Sequence, residues 1–174
     1  MTGLKSALFK GTARQEDPAP FTIAEMSGNH NGSLEKALAI VDAIADTGAD
    51  AVKIQTYTPE TMTLDIADGD FKISDPKSLW NGRTLFDLYS EAYTPWDWPA
   101  PIMQRAKDKG LLCFSSPFDE SAIELLESLE VPCYKVASFE SIDIPLIKAV
   151  AATGKPVIIS TGMATIAEID EAVT

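Results

Sequence analysis

Basic side chains are scarce in this 174-residue chain, which has 14 lysine and arginine residues against 26 acidic ones and a formal charge of −12. A nucleic-acid-binding surface depends on clustered lysine and arginine, so the composition argues against that class of partner. It argues equally against general binding to anionic membranes. No apolar run approaches the roughly 18 residues that a membrane-spanning helix needs, and the N-terminal segment lacks the apolar stretch of a signal peptide.

Cysteine and histidine are also rare. Cys113 and Cys133 lie within apolar runs, a pattern typical of reduced core residues rather than of a disulfide framework, and a cytoplasmic location is therefore expected. His30 is the single histidine. A lone histidine in a loop more often contacts a neighbouring side chain than binds a metal. The G-x-G-x-x-G fingerprint is missing as well, which argues against a dinucleotide-binding fold.

Five short β-rich runs alternate with amphipathic helical segments, and this alternation is typical of βαβ units around a parallel sheet. We predict an α/β fold of the (β/α)₈ TIM-barrel type, with only about the first five βα units present in this chain. Residues 1–20 are expected to form an N-terminal arm, and residues 21–174 the N-terminal portion of the barrel. The predicted strands span residues 21–26, 51–56, 111–116, 133–138 and 157–161.

Helix starts are marked by capping residues, with Ser33 and Asp143 as N-caps and Thr165 with Glu168 as a capping box. The second and third strands are separated by residues 57–110, which is too long for a simple connection and predicts a functional loop. Two helices are expected inside it, around Leu85–Tyr93 and Pro101–Lys109.

Polar residues at the carboxyl ends of barrel strands are candidates for chemistry, because those ends and the loops after them form the active face. In this sequence such residues occur in or directly after each of the five predicted strands. The candidate site residues are Glu25, Lys53, Gln55, Ser116, Lys135, Ser138, Glu140 and Ser160.

Lys53 and Lys135 are the most informative of these candidates, because each lies inside an otherwise apolar predicted strand. A buried ammonium group needs an anionic partner or a lowered pKa. An internal salt bridge with Glu25 or Glu140 would satisfy that need. A pocket for a phosphate or carboxylate would also satisfy it, and would in addition account for the nearby serines and for the amides at Thr161-Gly162.

The motifs that carry these residues resemble the sialic-acid synthase family over nearly all of residues 21–174. Within residues 79–98, LWNGRTLFDLYSEAYTPWDW is similar to the pseudaminic acid branch of that family. The other matching stretches are AEMSGNHNGS (24–33), GADAVKIQTYTPETMTLD (48–65), FSSPFD (114–119), YKVASFE (134–140) and GKPVIISTGMAT (154–165).

The resemblance implies condensation of phosphoenolpyruvate with an open-chain 2,4-diacetamido-2,4,6-trideoxy hexose of the altrose series, giving a nine-carbon 2-keto acid and phosphate. It implies a divalent metal, Mn²⁺ or Mg²⁺, that polarises the acceptor aldehyde. By motif match, Glu25 handles water or acceptor hydroxyls and Glu140 orients neighbouring groups. The residues expected to bind substrate are Lys53, Gln55, Ser116, Lys135, Ser138 and Ser160.

Parts of the family pattern are not found in this sequence. The metal-binding histidines are expected beyond Thr174, and so is the C-terminal antifreeze-like domain with which family members close the site across a homodimer. Pro99 stands where relatives often have histidine.

Three alternatives remain open from the sequence. The acceptor could be N-acetylmannosamine, as in the N-acetylneuraminate synthase branch. A Schiff-base aldolase would use Lys135 or Lys53 as its nucleophile. The chain could also be an assembly piece without turnover.

Overall fold

The structure is a computed structural model that describes residues 20–174, so the predicted arm lies outside the described residues except for Pro20. Five parallel strands form one sheet in chain order and make half of a barrel, as predicted. The second strand has the predicted bounds, and the others are shorter or shifted by one residue. The strands are β1 (Ile23–Glu25), β2 (Ala51–Thr56), β3 (Leu112–Pro117), β4 (Tyr134–Val136) and β5 (Val157–Ile159).

Helices connect successive strands, and the segment between β2 and β3 contains three of them. The fourth helix begins two residues before its predicted start, because Pro99 occupies the first turn, where its missing N–H costs no hydrogen bond. The helices are α1 (Leu34–Asp46), α2 (Pro59–Met62), α3 (Leu85–Ala92), α4 (Pro99–Asp108), α5 (Glu120–Ser128), α6 (Ile144–Ala152) and α7 (Ile166–Val173), with 3₁₀ turns at Gly69–Phe71 and Phe139–Ile142.

The predicted caps are all formed. Ser33 accepts a hydrogen bond from the Lys36 amide at 3.3 Å, and Asp143 caps α6 in the same way at 3.1 Å. Thr165 and Glu168 bond reciprocally at the start of α7. Each cap satisfies an amide that the first helical turn would otherwise leave without a partner.

Two apolar layers enclose the sheet. On its outer face, Val52 and Val41 pack with Ile102, and farther along the sheet Tyr134 packs with Leu126. The concave face has its own small cluster of Ala51, Phe114 and Cys133. The outer side of the half-barrel is therefore a helix-covered core.

Both cysteines are buried and free, as the apolar runs around them predict. Burial raises the pKa of each thiol to about 12, so both stay protonated at neutral pH. No helix among residues 20–174 is long and apolar enough to cross a membrane.

Candidate functional site

The strand register places the candidate residues on the concave face. Side chains alternate between the two faces of a strand, and Val52 and Ile54 of β2 pack outward under the helices. Lys53 and Gln55 therefore point to the concave side. Glu25 of β1 lies opposite Lys53, and Ser116 of β3 lies opposite Gln55. Sheet pairing thus brings four of the predicted residues into one patch.

The Lys53 ammonium group has two partners in this patch. It forms an ion pair with the Glu25 carboxylate and donates a hydrogen bond to Ser116 Oγ at 3.4 Å. The Lys53 side chain is 15% exposed and that of Glu25 is 39% exposed. The internal salt bridge considered from the sequence is therefore present, and its acidic member remains open to solvent.

Lys135 lies near the same patch on β4. Its ammonium group donates a hydrogen bond to the carbonyl oxygen of Val136 at 2.8 Å. Burial lowers the pKa of Lys135, and the positive charge of Lys53 lowers it further, while Glu25 and Glu140 act in the opposite direction. The positive charge of Lys53 therefore acts on Lys135 from the neighbouring part of the sheet.

Glu140 lies in the 3₁₀ turn that follows β4. Burial raises the pKa of its carboxyl group, and the attraction of Lys135 offsets this only in part. Its Oε2 atom is buried and has no hydrogen-bond partner within residues 20–174. A buried carboxylate oxygen left unpaired costs free energy, which makes this atom a natural contact point for a ligand.

The ends of β4 and β5 bring Ser138 and Ser160 to the same edge. The Ser160 amide donates to the carbonyl oxygen of Val136 at 3.0 Å. A Cβ atom built on Gly162 would lie 3.5 Å from Ser138 Oγ, so the loop after β5 packs against this hydroxyl. The edge therefore carries two hydroxyl groups beside the two lysines.

His30 has a structural role, in line with the sequence-based interpretation. It is fully buried, and its Nδ1 atom accepts a hydrogen bond from the Gly32 amide at 3.2 Å. Nε2 therefore carries the proton and donates to Thr94 Oγ1 at 3.1 Å. Its ring meets that of Trp98 edge-on at 5.3 Å. Burial lowers the pKa of His30 and keeps the imidazole neutral.

Metal-binding donors are not clustered in the described part of the chain. Residues 20–174 contain no group of three or more histidine, cysteine or acidic side chains that could hold an ion. This donor set does not fit a metal centre on its own.

Tyr57 and Tyr89 lie near the site, although neither was among the residues predicted from the sequence. Tyr57 follows β2 directly, and its ring meets that of Tyr89 on α3 edge-on at 5.7 Å. The charge of Glu140 contributes to a raised pKa of Tyr89, after the larger effect of burial. The position of Tyr57 after a strand could have identified it, whereas nothing in the local sequence relates Tyr89 to Glu140.

Comparison with known proteins gives a consistent result. A model described as the NeuB family matches residues 40–174. The pseudaminic acid synthase of Campylobacter jejuni (strain 81-176) is 46% identical over 153 residues, which are 88% of this chain and 44% of that protein. The pseudaminic acid synthase of Helicobacter pylori is 46% identical over 155 residues, 89% of this chain and 45% of that protein.

A solved structure agrees with these relatives. It is the N-acetylneuraminic acid synthetase of Leptospira borgpetersenii, crystallised in complex with citrate. Its TM-score is 0.75 at 31% identity, and the match covers 88% of this chain and 48% of that one. The chain thus spans less than half the length of each of these three proteins.

Proposed function

The chain belongs to the NeuB family, and we propose that it is the N-terminal part of an enzyme that condenses phosphoenolpyruvate with an open-chain 2,4-diacetamido-2,4,6-trideoxy hexose of the altrose series. The products are pseudaminic acid and inorganic phosphate. The choice of acceptor is supported by the 46% identity to two pseudaminic acid synthases, against 31% to a synthetase named for N-acetylneuraminic acid.

The observation that carries this proposal is the placement of Lys53 and Lys135 on β2 and β4, the two strands that flank β3 in the sheet. Each is partly buried, and after burial the positive charge of Lys53 lowers the pKa of Lys135, as expected for repulsion between two like charges. An anion bound between them would relieve that repulsion. Phosphoenolpyruvate carries a phosphate and a carboxylate, and Ser116, Ser138 and Ser160 supply hydroxyl donors for their oxygens.

The reaction places different demands on the two glutamates. The methylene carbon of phosphoenolpyruvate forms the new bond to the acceptor aldehyde, water adds to the adjacent carbon, and phosphate leaves. In the described structure Glu25 is paired with Lys53. An anion on Lys53 competes with this pair, so substrate binding frees the Glu25 carboxylate to accept a proton from water or an acceptor hydroxyl. Glu140 orients neighbouring groups through its unpaired oxygen.

Three further features belong to the proposal. A divalent cation, Mn²⁺ or Mg²⁺, would polarise the acceptor aldehyde, and at least part of its ligand set would have to come from outside residues 20–174. A homodimer would close the site with a C-terminal domain. We also place the enzyme in the cytoplasm, where free cysteines such as Cys113 and Cys133 stay reduced.

Lysine substitution tests the anion site in the complete enzyme, meaning a protein of the relatives' length that contains this chain. Lys53→Met or Lys135→Met should weaken phosphoenolpyruvate binding at least tenfold, measured by isothermal titration calorimetry. A charge-assisted hydrogen bond contributes about 1.5–3 kcal/mol, which corresponds to about tenfold or more.

Lys155→Met is the matched control. Lys155 is also half-buried and ion-paired, with its Nζ atom 2.6 Å from Glu127 Oε1, but it precedes β5 at the opposite edge of the sheet. It should leave the affinity for phosphoenolpyruvate unchanged. Unchanged affinity in both Lys53→Met and Lys135→Met would leave the two lysines with structural roles alone and contradict the proposal.

Turnover with two acceptors tests the choice of sugar. The complete enzyme should release phosphate with the 2,4-diacetamido hexose in preference to N-acetylmannosamine. The reverse preference would favour the N-acetylneuraminate branch.

The lowered pKa of Lys135 favours a second chemistry, since a Schiff base forms from an unprotonated amine. A Schiff-base aldolase would be labelled at Lys135 by borohydride in the presence of substrate. We expect no label, since the serine hydroxyls around the lysines are suited to an anion.

A further inference from the structure

An aromatic pair borders the proposed site on the side of the inserted segment. The ring of Tyr57 meets Tyr89 edge-on at 5.7 Å and meets Phe118, which follows β3, at 5.5 Å. The carbonyl oxygen of Tyr57 also accepts a hydrogen bond from Trp96 Nε1 at 3.2 Å. Tyr57 is 4% exposed and held on three sides, so it forms a fixed support for the half-buried Tyr89.

Tyr89 and Glu140 belong to different parts of the chain. Tyr89 lies on α3, between β2 and β3, whereas Glu140 follows β4. The Glu140 charge acts on Tyr89 together with burial, and both raise the pKa of the phenol, so its hydroxyl stays protonated at neutral pH. Within residues 20–174 no hydrogen bond is formed by that hydroxyl, and Glu140 Oε2 has no partner either. The Tyr89 hydroxyl and the Glu140 carboxylate therefore offer a donor and an acceptor that have no partner in the described part of the chain.

We propose that Tyr89 is a specificity-determining residue that donates a hydrogen bond to the acceptor sugar, and that its ring, supported from behind by Tyr57, packs against that sugar. This inference rests on the proposed function of the site. An acetamido substituent presents a carbonyl oxygen that accepts from a hydroxyl, and a methyl group that packs on a ring. A phenol next to an aromatic support matches both parts of that group.

Replacement of the hydroxyl alone is the sharpest test. In the complete enzyme, Tyr89→Phe should raise the KM for the 2,4-diacetamido acceptor about three- to tenfold, the scale of one neutral hydrogen bond. The KM for phosphoenolpyruvate should not change, because the lysines and not Tyr89 bind that substrate. Tyr89→Ala also removes the ring and should raise the acceptor KM further. If Tyr89→Ala does not fold, Tyr89→Phe alone still tests the inference.

Tyr93→Phe is the matched control, because Tyr93 is also partly buried and caps the end of the same helix. Within residues 20–174 its ring does not stack on Tyr57, and its hydroxyl is not hydrogen-bonded to Glu140. Equal acceptor KM values for Tyr89→Phe and Tyr93→Phe, in an enzyme that binds phosphoenolpyruvate normally, would overturn this inference alone. If the unmodified enzyme does not bind phosphoenolpyruvate, the proposed function is wrong, and so is this inference.

Discussion

Burial acts on the site's charged residues in opposite directions. It lowers the pKa of Lys135 and raises that of Glu140, so each group is shifted toward its neutral form. Their mutual attraction offsets these shifts only in part. A bound ligand with an anionic group for Lys135 and a hydrogen-bond donor for Glu140 would stabilise both. Opposing shifts of this kind are common where side chains are arranged for binding rather than for stability.

Glu140→Gln should stabilise the protein at high pH. Because folding raises the pKa of Glu140 above its ordinary value of 4.5, the group's contribution to stability is fully present below that value. It is lost as the pH rises through the folded-state pKa. The uncharged glutamine avoids this loss. The melting temperature of the complete enzyme, measured by calorimetry, should rise on substitution at pH 8, and the gain should shrink toward pH 4.

Glu124→Gln serves as the control, because Glu124 lies exposed on α5. It should show no comparable pH-dependent gain. A lower melting temperature of Glu140→Gln at pH 8 would mean that the ionised carboxylate is a net stabilising partner of Lys135.

At the level of elements, the position of α3 depends on a close contact with the loop after β1. A Cβ atom on Gly28 would lie 2.9 Å from the carbonyl oxygen of Ala92 and 3.2 Å from its Cβ. Only glycine allows the last turn of α3 to come this near. His30 strengthens the same junction through its bond to Thr94. The inserted segment is thus fixed to the loop of the first βα unit, and this sets where Tyr89 lies.

Gly28→Ala should displace α3 and destabilise the protein. The added methyl group meets main-chain atoms, which cannot turn away as a flexible side chain could. Overpacking of this kind costs about 1–3 kcal/mol in the free energy of unfolding. Because α3 carries Tyr89, the acceptor KM should also rise in the complete enzyme.

Gly162→Ala is the matched control for stability, since its Cβ atom would meet only Ser138 Oγ at an ordinary 3.5 Å. Chemical denaturation should show a clearly smaller loss for Gly162→Ala than for Gly28→Ala. Equal losses would show that the contact with Ala92 does not constrain α3.

At the level of the whole molecule, the sheet has β1 and β5 as its outermost strands, each with a single neighbour among the described strands. Large apolar side chains are exposed next to β5, on the 3₁₀ turn Phe139–Ile142 and on α7, which contact each other. Phe139 is 73% exposed and Ile166 is 87% exposed. An open strand edge beside apolar surface favours association with another chain.

The 174-residue chain expressed alone should therefore self-associate, melt with low cooperativity and show no phosphate release from phosphoenolpyruvate plus acceptor. Light scattering after size exclusion should show an apparent mass that increases with concentration. Replacing both Phe139 and Ile166 by Asp should reduce this association. Leu79→Asp is the matched control, because Leu79 is 99% exposed but lies in the inserted segment. A cooperatively melting monomer with metal-dependent turnover would contradict the expectation.

The sequence by itself determined the five βα units, the helix caps and the strand positions of the two lysines. These features depend on local chemistry, namely hydrophobic periodicity, capping side chains and the alternation of faces along a strand, and all of these can be read from consecutive residues. The bounds of β2 were predicted correctly for this reason.

Only the tertiary structure decided which charges pair and which aromatic residues border the site. From the sequence, either lysine could pair with Glu25 or Glu140, and the register of β1 against β2 selects Lys53 with Glu25. Tyr89 meets Tyr57 across 32 positions of the chain, and Glu140, 51 positions away, contributes to the raised pKa of Tyr89. Such contacts follow from the packing of α3 against the loop after β1, and no local pattern encodes the position of one element relative to another.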